Sequence, residues 1–274
     1  MLERISILGS GWLGLPLAHE LQQAGYLIKT SSRSTARINQ IQNMGITTCR
    51  YDIESTNNDE SLLQTDILII NITNKNVDAF RSLISNIETS SISKVLFISS
   101  TSVYADSDNP NQAAITEVDL SALKPCPLLD IENLFRNNIH FKTSIIRFAG
   151  LIGYQRHPGN FFLLKDENNN LSCKPIRNPE GYVNMIHRDD CIGIIKALLQ
   201  QNYWGEVFNA CSNEHPTRRD FYQQALEHIS NIEAIFVQRE GFLSKKISND
   251  KIIQFLDYRF IHNDLLDFES HTYD

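Results

Sequence analysis

The sequence predicts an α/β protein built on a doubly wound parallel sheet, with a small α/β lobe in its C-terminal part. Two observations support this prediction. Short apolar runs alternate with helix-like stretches over the first 150 residues, and these runs carry almost no charge. Uninterrupted apolar runs are typical of strands buried on both faces, and regular strand–helix alternation produces right-handed crossovers between parallel strands.

The predicted elements follow one another in a regular order. Predicted strands cover residues 4–8, 26–30, 47–51, 67–72, 94–99 and 143–147. Predicted helices cover residues 14–24, 37–44 and 78–87. Residues 151–185 are rich in glycine, proline and polar residues and are predicted to be mostly loop, whereas 189–200 begin with two aspartates and suit a helix. The acidic end, 264–274, is expected to fray.

Composition and charge exclude several classes of function. The 274 residues include 25 Lys and Arg against 32 Asp and Glu, a formal charge of −7, and an acidic protein is a poor partner for nucleic acid or an anionic membrane. No apolar run approaches the roughly 18–20 residues that a bilayer span needs. The first apolar stretch runs directly into glycines, so we expect no signal peptide.

The five cysteines are scattered and form no C-x-x-C pair. Zinc ribbons and thioredoxin-like redox sites are therefore not expected, and we predict no metal site. Free thiols fit a reducing compartment, so the sequence favours a cytoplasmic protein.

The most specific local signal is a glycine-rich motif directly after the first predicted strand, Gly9-Ser10-Gly11-Trp12-Leu13-Gly14. In a G-x-G-x-x-G turn that opens a helix, Gly9 permits the tight turn, Gly11 admits a pyrophosphate close to the backbone, and Gly14 allows close helix–strand packing. The helix N-terminus then offers free N–H groups to the phosphates. The alternative is a glycine-rich turn that binds nothing.

The regular strand–helix alternation ends at about residue 150, which divides the predicted molecule into two parts. Residues 1–150 are predicted to form a Rossmann core that binds a dinucleotide. Residues 151–274 are predicted to form a smaller substrate-binding lobe that is interleaved with the core, because no low-complexity linker separates the two halves.

The second strand favours NADP(H) over NAD(H). NAD sites usually place an acidic residue about 20 residues after the glycines, to bind the adenosine ribose. No acidic residue lies between Glu20 and Asp52 here. Arg33 and Arg37 can instead pair with a 2′-phosphate, with Ser31 or Ser32 as a hydrogen-bond donor; the alternative is that both arginines are ordinary surface residues.

Polar residues at three further strand ends are candidate cofactor contacts. Asp52 follows the third strand and is placed to contact the adenine, whereas Asn71 follows the fourth, near the expected nicotinamide ribose. Ser99 ends the fifth strand and is the third candidate. Asp52 and Asn71 are equally well explained as polar strand termini.

Four segments, in order along the chain, resemble motifs of one family: Phe97-Ile98-Ser99-Ser100-Thr101-Ser102-Val103-Tyr104, Arg147-Phe148-Ala149-Gly150-Leu151-Ile152-Gly153, Tyr182-Val183-Asn184-Met185-Ile186-His187-Arg188-Asp189-Asp190 and Phe208-Asn209-Ala210. They resemble the I-S-S-x-x-V-Y, R-x-x-x-x-x-G, I-H-x-x-D and central-Asn elements of the extended short-chain dehydrogenase/reductases, the NAD-dependent epimerase/dehydratase family. The resemblance implies a Rossmann fold, a nicotinamide cofactor and a small-molecule substrate whose identity the sequence leaves open. It also implies a homodimer through two helices of the first half as one arrangement.

The catalytic set of the resembled family is only partly present. Its redox members use a Ser or Thr together with a Tyr-x-x-x-Lys pair, and Ser100 matches the Ser. None of the nine tyrosines is followed four positions later by Lys, and the expected places fall near Lys124 and Leu128. The glycine motif also departs from the G-x-x-G-x-x-G spacing that is usual in this family. The chain therefore resembles an atypical branch of the family.

Three residues are candidates for the missing acid. They are Tyr104, which alternatively belongs to a packing element; Lys124, alternatively a loop residue on the surface; and His187, alternatively adjacent to a capped helix. The sequence thus predicts an NADP(H)-binding oxidoreductase or epimerase-like enzyme with a substituted catalytic set. The alternative is a non-catalytic NADP(H)-binding redox sensor or regulatory protein.

Overall fold

The computed structural model describes residues 3–238, 243–271 and 273. The strands are β1 Arg4–Leu8, β2 Leu27–Ser32, β3 Thr47–Arg50, β4 Ile67–Ile70, β5 Lys94–Ser100, β6 Lys142–Phe148, β7 Gly150–Ile152, β8 Leu163–Lys165, β9 Leu171–Cys173, β10 Ile176–Arg177, β11 Met185–His187, β12 Val207–Ala210 and β13 Phe236–Val237. The helices are α1 Gly14–Gln23, α2 Thr35–Asn43, α3 Val77–Glu88, α4 Pro127–Arg136, α5 Arg188–Gln201, α6 Arg218–Ile229 and α7 Asp250–Leu256.

Among the described residues, a seven-stranded sheet has the order β3-β2-β1-β4-β5-β6-β12. The β1–β2, β1–β4, β2–β3 and β4–β5 pairs are parallel. The order 3-2-1-4-5-6 is that of a doubly wound dinucleotide-binding sheet, which confirms the predicted fold class. The strand order reverses between β1 and β4, and ligands of such sheets bind at this crevice beyond the carboxyl ends of the strands.

The chain divides into two compact units. The first unit comprises Met1–Val103, Lys124–Arg147 and Ile195–Phe208. The second comprises Tyr104–Leu123, Phe148–Ile194 and Asn209–Asp274. Each unit is therefore assembled from three separate chain segments. Compared with a simple division at residue 150, residues 104–123 belong to the second unit and residues 195–208 to the first.

The core of the first unit contains an aromatic cluster on one face of the sheet. Phe97 of β5 stacks on Phe135 of α4 at 5.1 Å between ring centroids, and Phe80 of α3 meets Phe97 edge to face at 5.9 Å. Such aromatic pairs contribute about 0.5–1.5 kcal/mol each beyond the burial of their area. Helices α3 and α4 are thereby fixed to β5, the strand that ends at Ser100.

In the second unit, one expectation from the sequence is confirmed and one is wrong. Residues 151–185 are mostly loop, as expected, although they also contain β8 to β10 and most of β7, strands of two or three residues that are too short to show a periodicity. The segment expected to fray places Leu265 and Phe268 in the buried core of this unit, together with Phe221 of α6. Leu265 and Phe268, three residues apart, therefore anchor the C-terminal segment although its composition is acidic.

None of the described helices combines the length and the apolar character that a bilayer crossing requires.

Candidate functional site: the glycine turn after β1

The three glycines of the turn after β1 lie in three different structural environments. Gly9 has φ +105°, and a Cβ there would lie 2.4 Å from the backbone oxygen of Asn71. A Cβ on Gly14 would lie 2.0 Å from the backbone oxygen of Gly9. Gly11 is exposed, and apart from Gly11 itself and its two chain neighbours no heavy atom of the described residues lies within 4 Å of the place its Cβ would take. Gly9 and Gly14 are therefore required by the protein itself, whereas Gly11 leaves room for a group outside it.

The N-terminus of α1 is arranged for an anion. Its N-cap residue, Leu13, makes no side-chain capping hydrogen bond, and the first turn holds no acidic residue. Leu13 itself is buried in the core, and Trp12 is half-buried. Leu15 already donates its N–H to the backbone oxygen of Gly11 at 3.1 Å, so what this end offers a phosphate is the positive end of the α1 dipole and the glycine turn before it, as in dinucleotide sites.

Two serines hold the turn against the end of β2. The hydroxyl of Ser10 donates to the backbone oxygen of Ser31 at 2.8 Å, and the N–H of Gly9 donates to the hydroxyl of Ser31 at 3.1 Å. Ser31 is buried, so its hydroxyl is used to shape the turn. Of the two serines predicted as phosphate donors, Ser32 is the less buried, and its hydroxyl accepts the N–H of Ser34 at 3.2 Å.

The two arginines after β2 differ in their surroundings. Arg37 reaches the glycine turn, with Nη2 donating to the backbone oxygen of Ser10 at 3.4 Å and Nη1 to Gln40 at 2.7 Å. Arg33 is exposed, and its charge helps to lower the pKa of Glu54, an effect that follows those of the hydrogen bonds from Asn76 and Asn74 to the same carboxylate. The structure therefore adds Glu54 to this surface, a neighbour of Arg33 that no sequence pattern indicated.

The other predicted cofactor contacts have protein partners. Asn71 lies against the glycine turn and donates from Nδ2 to the backbone oxygen of Gly9 at 3.4 Å. Asp52 accepts the N–H of Glu54 at 3.2 Å in a tight polar turn after β3. Ser99 donates its hydroxyl to Oε1 of Glu132 at 2.5 Å.

Glu132 belongs to a buried ionic network beneath the end of β5. Its carboxylate accepts two hydrogen bonds from Nε of Arg147 at 3.1 Å and one from Nη2 at 2.6 Å. The side chains are 0% and 1% exposed, so this is a fully buried pair with the bidentate geometry that makes such pairs strong. It ties α4 to β6 and, through Ser99, to β5.

Comparison with known proteins agrees with this geometry. A family model described as "NADP oxidoreductase coenzyme F420-dependent" matches residues 4–102. Protein YeeZ of Escherichia coli K12 is 28% identical over 241 residues, which are 81% of this chain and 82% of that protein. The solved UDP-glucuronic acid 4-epimerase of Bacillus cereus, in complex with UDP-glucuronic acid and NAD, matches with TM-score 0.77 and 21% identity over 99% of this chain and 98% of its own.

A short-chain dehydrogenase/reductase superfamily protein from Agrobacterium tumefaciens with bound NAD matches with TM-score 0.75 and 16% identity, over 96% of this chain and 95% of its own. The chain has the short-chain dehydrogenase/reductase fold. The resemblance to the extended short-chain dehydrogenase/reductases would place a Tyr near Lys124 and a Lys near Leu128. Lys124 precedes helix α4, which begins at Pro127, and Leu128 in its first turn packs against the apolar core of the first unit.

Ser100, Tyr104 and Lys124, the three predicted catalytic residues of the first half, are in different environments. Ser100 is half-buried at the end of β5, and its hydroxyl accepts the N–H of Ser102 at 3.1 Å. Lys124 is exposed, and its backbone N–H donates to Val103 at 2.9 Å. Tyr104 is completely buried, and its hydroxyl donates to Oδ1 of Asn209 at 2.8 Å, which favours the packing role considered for it.

In the second unit, His187 lies in a cluster that the sequence did not predict. Nδ1 of His187 and Nε2 of His262 lie 3.3 and 3.1 Å from the same oxygen, Oδ2 of Asp189. Burial opposes ionisation of Asp189, but hydrogen bonds from His187, His262 and Tyr154 outweigh it and hold the pKa of this carboxyl below its usual range. His262 is 73 residues from Asp189, so no local motif could have brought it to the site.

Proposed function

We propose that the protein is an NADP(H)-binding member of the extended short-chain dehydrogenase/reductase family that acts as an oxidoreductase or epimerase-like enzyme. The observation that carries this proposal is Gly11, the glycine of the turn that the protein's own packing does not require. It lies beside the uncapped N-terminus of α1, where backbone N–H groups would hold the pyrophosphate. The B. cereus epimerase of similar fold has NAD bound, which supports the coarser part of the proposal, a nicotinamide dinucleotide as the ligand.

The preference for the 2′-phosphate rests on charge. The end of β2 offers Arg33, exposed, and Arg37, which already reaches the glycine turn. Glu54 is the acidic group that acts on Arg33, and it is itself held by Asn76 Nδ2 at 3.0 Å. A 2′-phosphate would carry more negative charge to Arg33 than this single exposed carboxylate does.

The substituted catalytic set is proposed to consist of Ser100 and Lys124. A bound nicotinamide would supply or accept a hydride. Ser100 would hold the substrate oxygen by a hydrogen bond, and the exposed ammonium of Lys124 would donate a proton to an oxygen brought to it. Tyr104 is left out of this set because its hydroxyl is buried on Asn209.

A second candidate function is a non-catalytic NADP(H) sensor or regulatory protein. The specific observation in its favour is Leu128, which packs into the core at the place where the family carries its lysine. A binding site that is intact beside such a substitution fits a protein that responds to cofactor occupancy without turnover.

The cofactor assignment is tested by titrating the purified protein with NADPH and NADH separately and following nicotinamide fluorescence. We expect NADPH to bind at least about 10-fold more tightly, because charge-assisted hydrogen bonds contribute roughly 1.5–3 kcal/mol each. Arg33→Ala should abolish most of this preference, whereas Arg81→Ala, an exposed arginine on α3, should leave it unchanged. Equal affinity of the wild-type protein for the two cofactors would overturn the assignment to NADP(H).

Turnover separates the enzyme from the sensor. NADPH oxidation is measured against a panel of carbonyl compounds and nucleotide sugars, with Ser100→Ala and Lys124→Ala as variants. Loss of turnover in both variants, with NADPH affinity preserved, supports the enzyme. Tight NADPH binding with no turnover on any substrate supports the sensor.

A further inference from the structure

The geometry points to a metal site: we propose that His187, Asp189 and His262 bind one divalent transition-metal ion of the zinc type. All three lie in the second unit, away from the glycine turn along the chain. The proposal does not depend on the cofactor, and its test reads the metal directly.

The spacing of the three ligand atoms fits one ion. Nδ1 of His187 and Nε2 of His262 lie 3.3 and 3.1 Å from Oδ2 of Asp189, and all three atoms lie within 4.8 Å of one another. A tetrahedral zinc with bonds of about 2.0–2.1 Å separates its ligand atoms by roughly 3.3 Å. The pairs that meet at Asp189 already have this separation. Nδ1 of His187 also accepts the backbone N–H of Asp189 at 3.2 Å, a hydrogen bond that the ion would replace.

The chemistry of the ligands selects the metal. Two neutral imidazoles and one carboxylate are typical of zinc and its neighbours, whereas calcium and magnesium prefer oxygen ligands alone. His187 is 0% and His262 8% exposed, while 29% of the Asp189 side chain is exposed, which gives an ion a route from solvent. Three protein ligands leave a fourth position for water.

The outer shell is also present. Tyr154 donates its hydroxyl to Oδ1 of Asp189 at 2.8 Å, which leaves Oδ2 for the metal. The ring of His271 lies 5.1 Å from that of His262, and its Nε2 is buried with no hydrogen-bond partner in the described part of the chain. Outer-shell partners of this kind orient the ligands and tune their affinity.

The ion would join the start of α5 to the C-terminal segment. Asp190, next to the ligand Asp189, is buried and accepts the N–H groups of Ile261 at 2.7 Å and His262 at 3.0 Å. These backbone hydrogen bonds therefore position His262 beside Asp189 without the help of a bound metal. This prearrangement lowers the ordering cost of binding, and the bound ion would stabilise the folded chain by mass action.

The test uses untagged full-length protein, freed of metal with a chelator and titrated with ZnCl₂ by calorimetry. We expect one ion per chain and a higher melting temperature with zinc; CoCl₂ should give the intense visible absorption of a four-coordinate site. Mg²⁺ from MgCl₂ should bind the wild-type protein far more weakly than Zn²⁺ does. No binding of Zn²⁺ at micromolar concentration would overturn the proposal, because the triad would then be a hydrogen-bonded cluster only.

Variants assign the site. His262→Gln and Asp189→Asn should weaken Zn²⁺ binding by more than the roughly 10–100-fold that loss of an outer-shell partner costs, whereas His140→Gln, an exposed histidine, should bind as the wild type does. If both ligand variants fail to fold, Tyr154→Phe decides, with an expected loss of about 10-fold. Unchanged zinc affinity in the soluble variants would show adventitious binding elsewhere and refute the proposal.

Discussion

Replacing Gly11 by alanine should separate dinucleotide binding from folding. A Cβ at this position would meet no described heavy atom within 4 Å, and φ of Gly11 lies outside the left-handed region. The folded chain therefore accommodates the methyl group without strain. Because alanine has fewer unfolded conformations than glycine, the substitution should raise the free energy of unfolding by about 0.4–1 kcal/mol.

The same methyl group should weaken the cofactor strongly. A pyrophosphate oxygen that accepts an N–H of the turn would be pushed beyond hydrogen-bond distance, and one hydrogen bond to a charged group contributes roughly 1.5–3 kcal/mol. Since about 1.4 kcal/mol corresponds to tenfold in affinity, NADPH binding should fall by roughly 10–150-fold. Alanine at Gly14 should instead destabilise the protein itself, because its Cβ would lie 2.0 Å from the backbone oxygen of Gly9.

The assay pairs two measurements on the same preparations. Urea unfolding reports the stability of the wild type, Gly11→Ala and Gly14→Ala, and NADPH fluorescence reports binding. Gly11→Ala should unfold at the same or a higher urea concentration and bind NADPH weakly. If Gly11→Ala binds NADPH within about threefold of the wild type, a difference below roughly 0.7 kcal/mol, the turn after β1 is not the pyrophosphate site.

Three further predictions concern the interior. Glu132→Gln removes the carboxylate from the buried guanidinium of Arg147 and should cost about 3–5 kcal/mol in urea unfolding; a loss below about 1 kcal/mol would contradict it. Burial, followed by the nearby histidines, lowers the pKa of His157 to about 4, so the folded protein favours the neutral form of this imidazole. In the presence of a chelator, stability should therefore fall as pH drops from about 6.5 towards 4, and His157→Gln should flatten this slope. Tyr104→Phe leaves Asn209 without its donor and should cost roughly 1–3 kcal/mol, with NADPH affinity unchanged; a loss of NADPH affinity would argue against a packing role.

Much of the first unit could be predicted from sequence, because its strands are buried on both faces and carry a strong local signal. The prediction placed β1 at residues 4–8, as observed, and the other five predicted strands begin or end within two residues of those found. The short strands of the second unit were missed for the opposite reason. β10 has two residues, and its parallel partner β13 begins 60 positions later, so its stability comes from a contact that no local window contains.

The candidate sites show the same limit. The glycine turn could be predicted because its three glycines lie within six residues of sequence. That Gly14 is required by packing and Gly11 is not follows only from the space around the Cβ that each would carry. The cluster of His187, Asp189 and His262 was not predicted, because its members are not grouped at a local ligand spacing in the sequence. His262 reaches Asp189 through backbone hydrogen bonds to Asp190, and these are tertiary contacts.

The buried network beneath β5 holds three elements of the first unit together. Glu132 ties α4 to β5 through Ser99 and to β6 through Arg147, and none of these contacts involves Lys124 or Leu128, the positions that the resemblance matches to tyrosine and lysine. A buried ion pair that lost one partner would leave a charge in the interior, so replacing Glu132 or Arg147 should destabilise the fold. Lys124, by contrast, is exposed, so Lys124→Ala should leave the fold intact. The fold and the proposed chemistry therefore depend on different residues, and turnover in the Ser100 and Lys124 variants tests the chemistry separately.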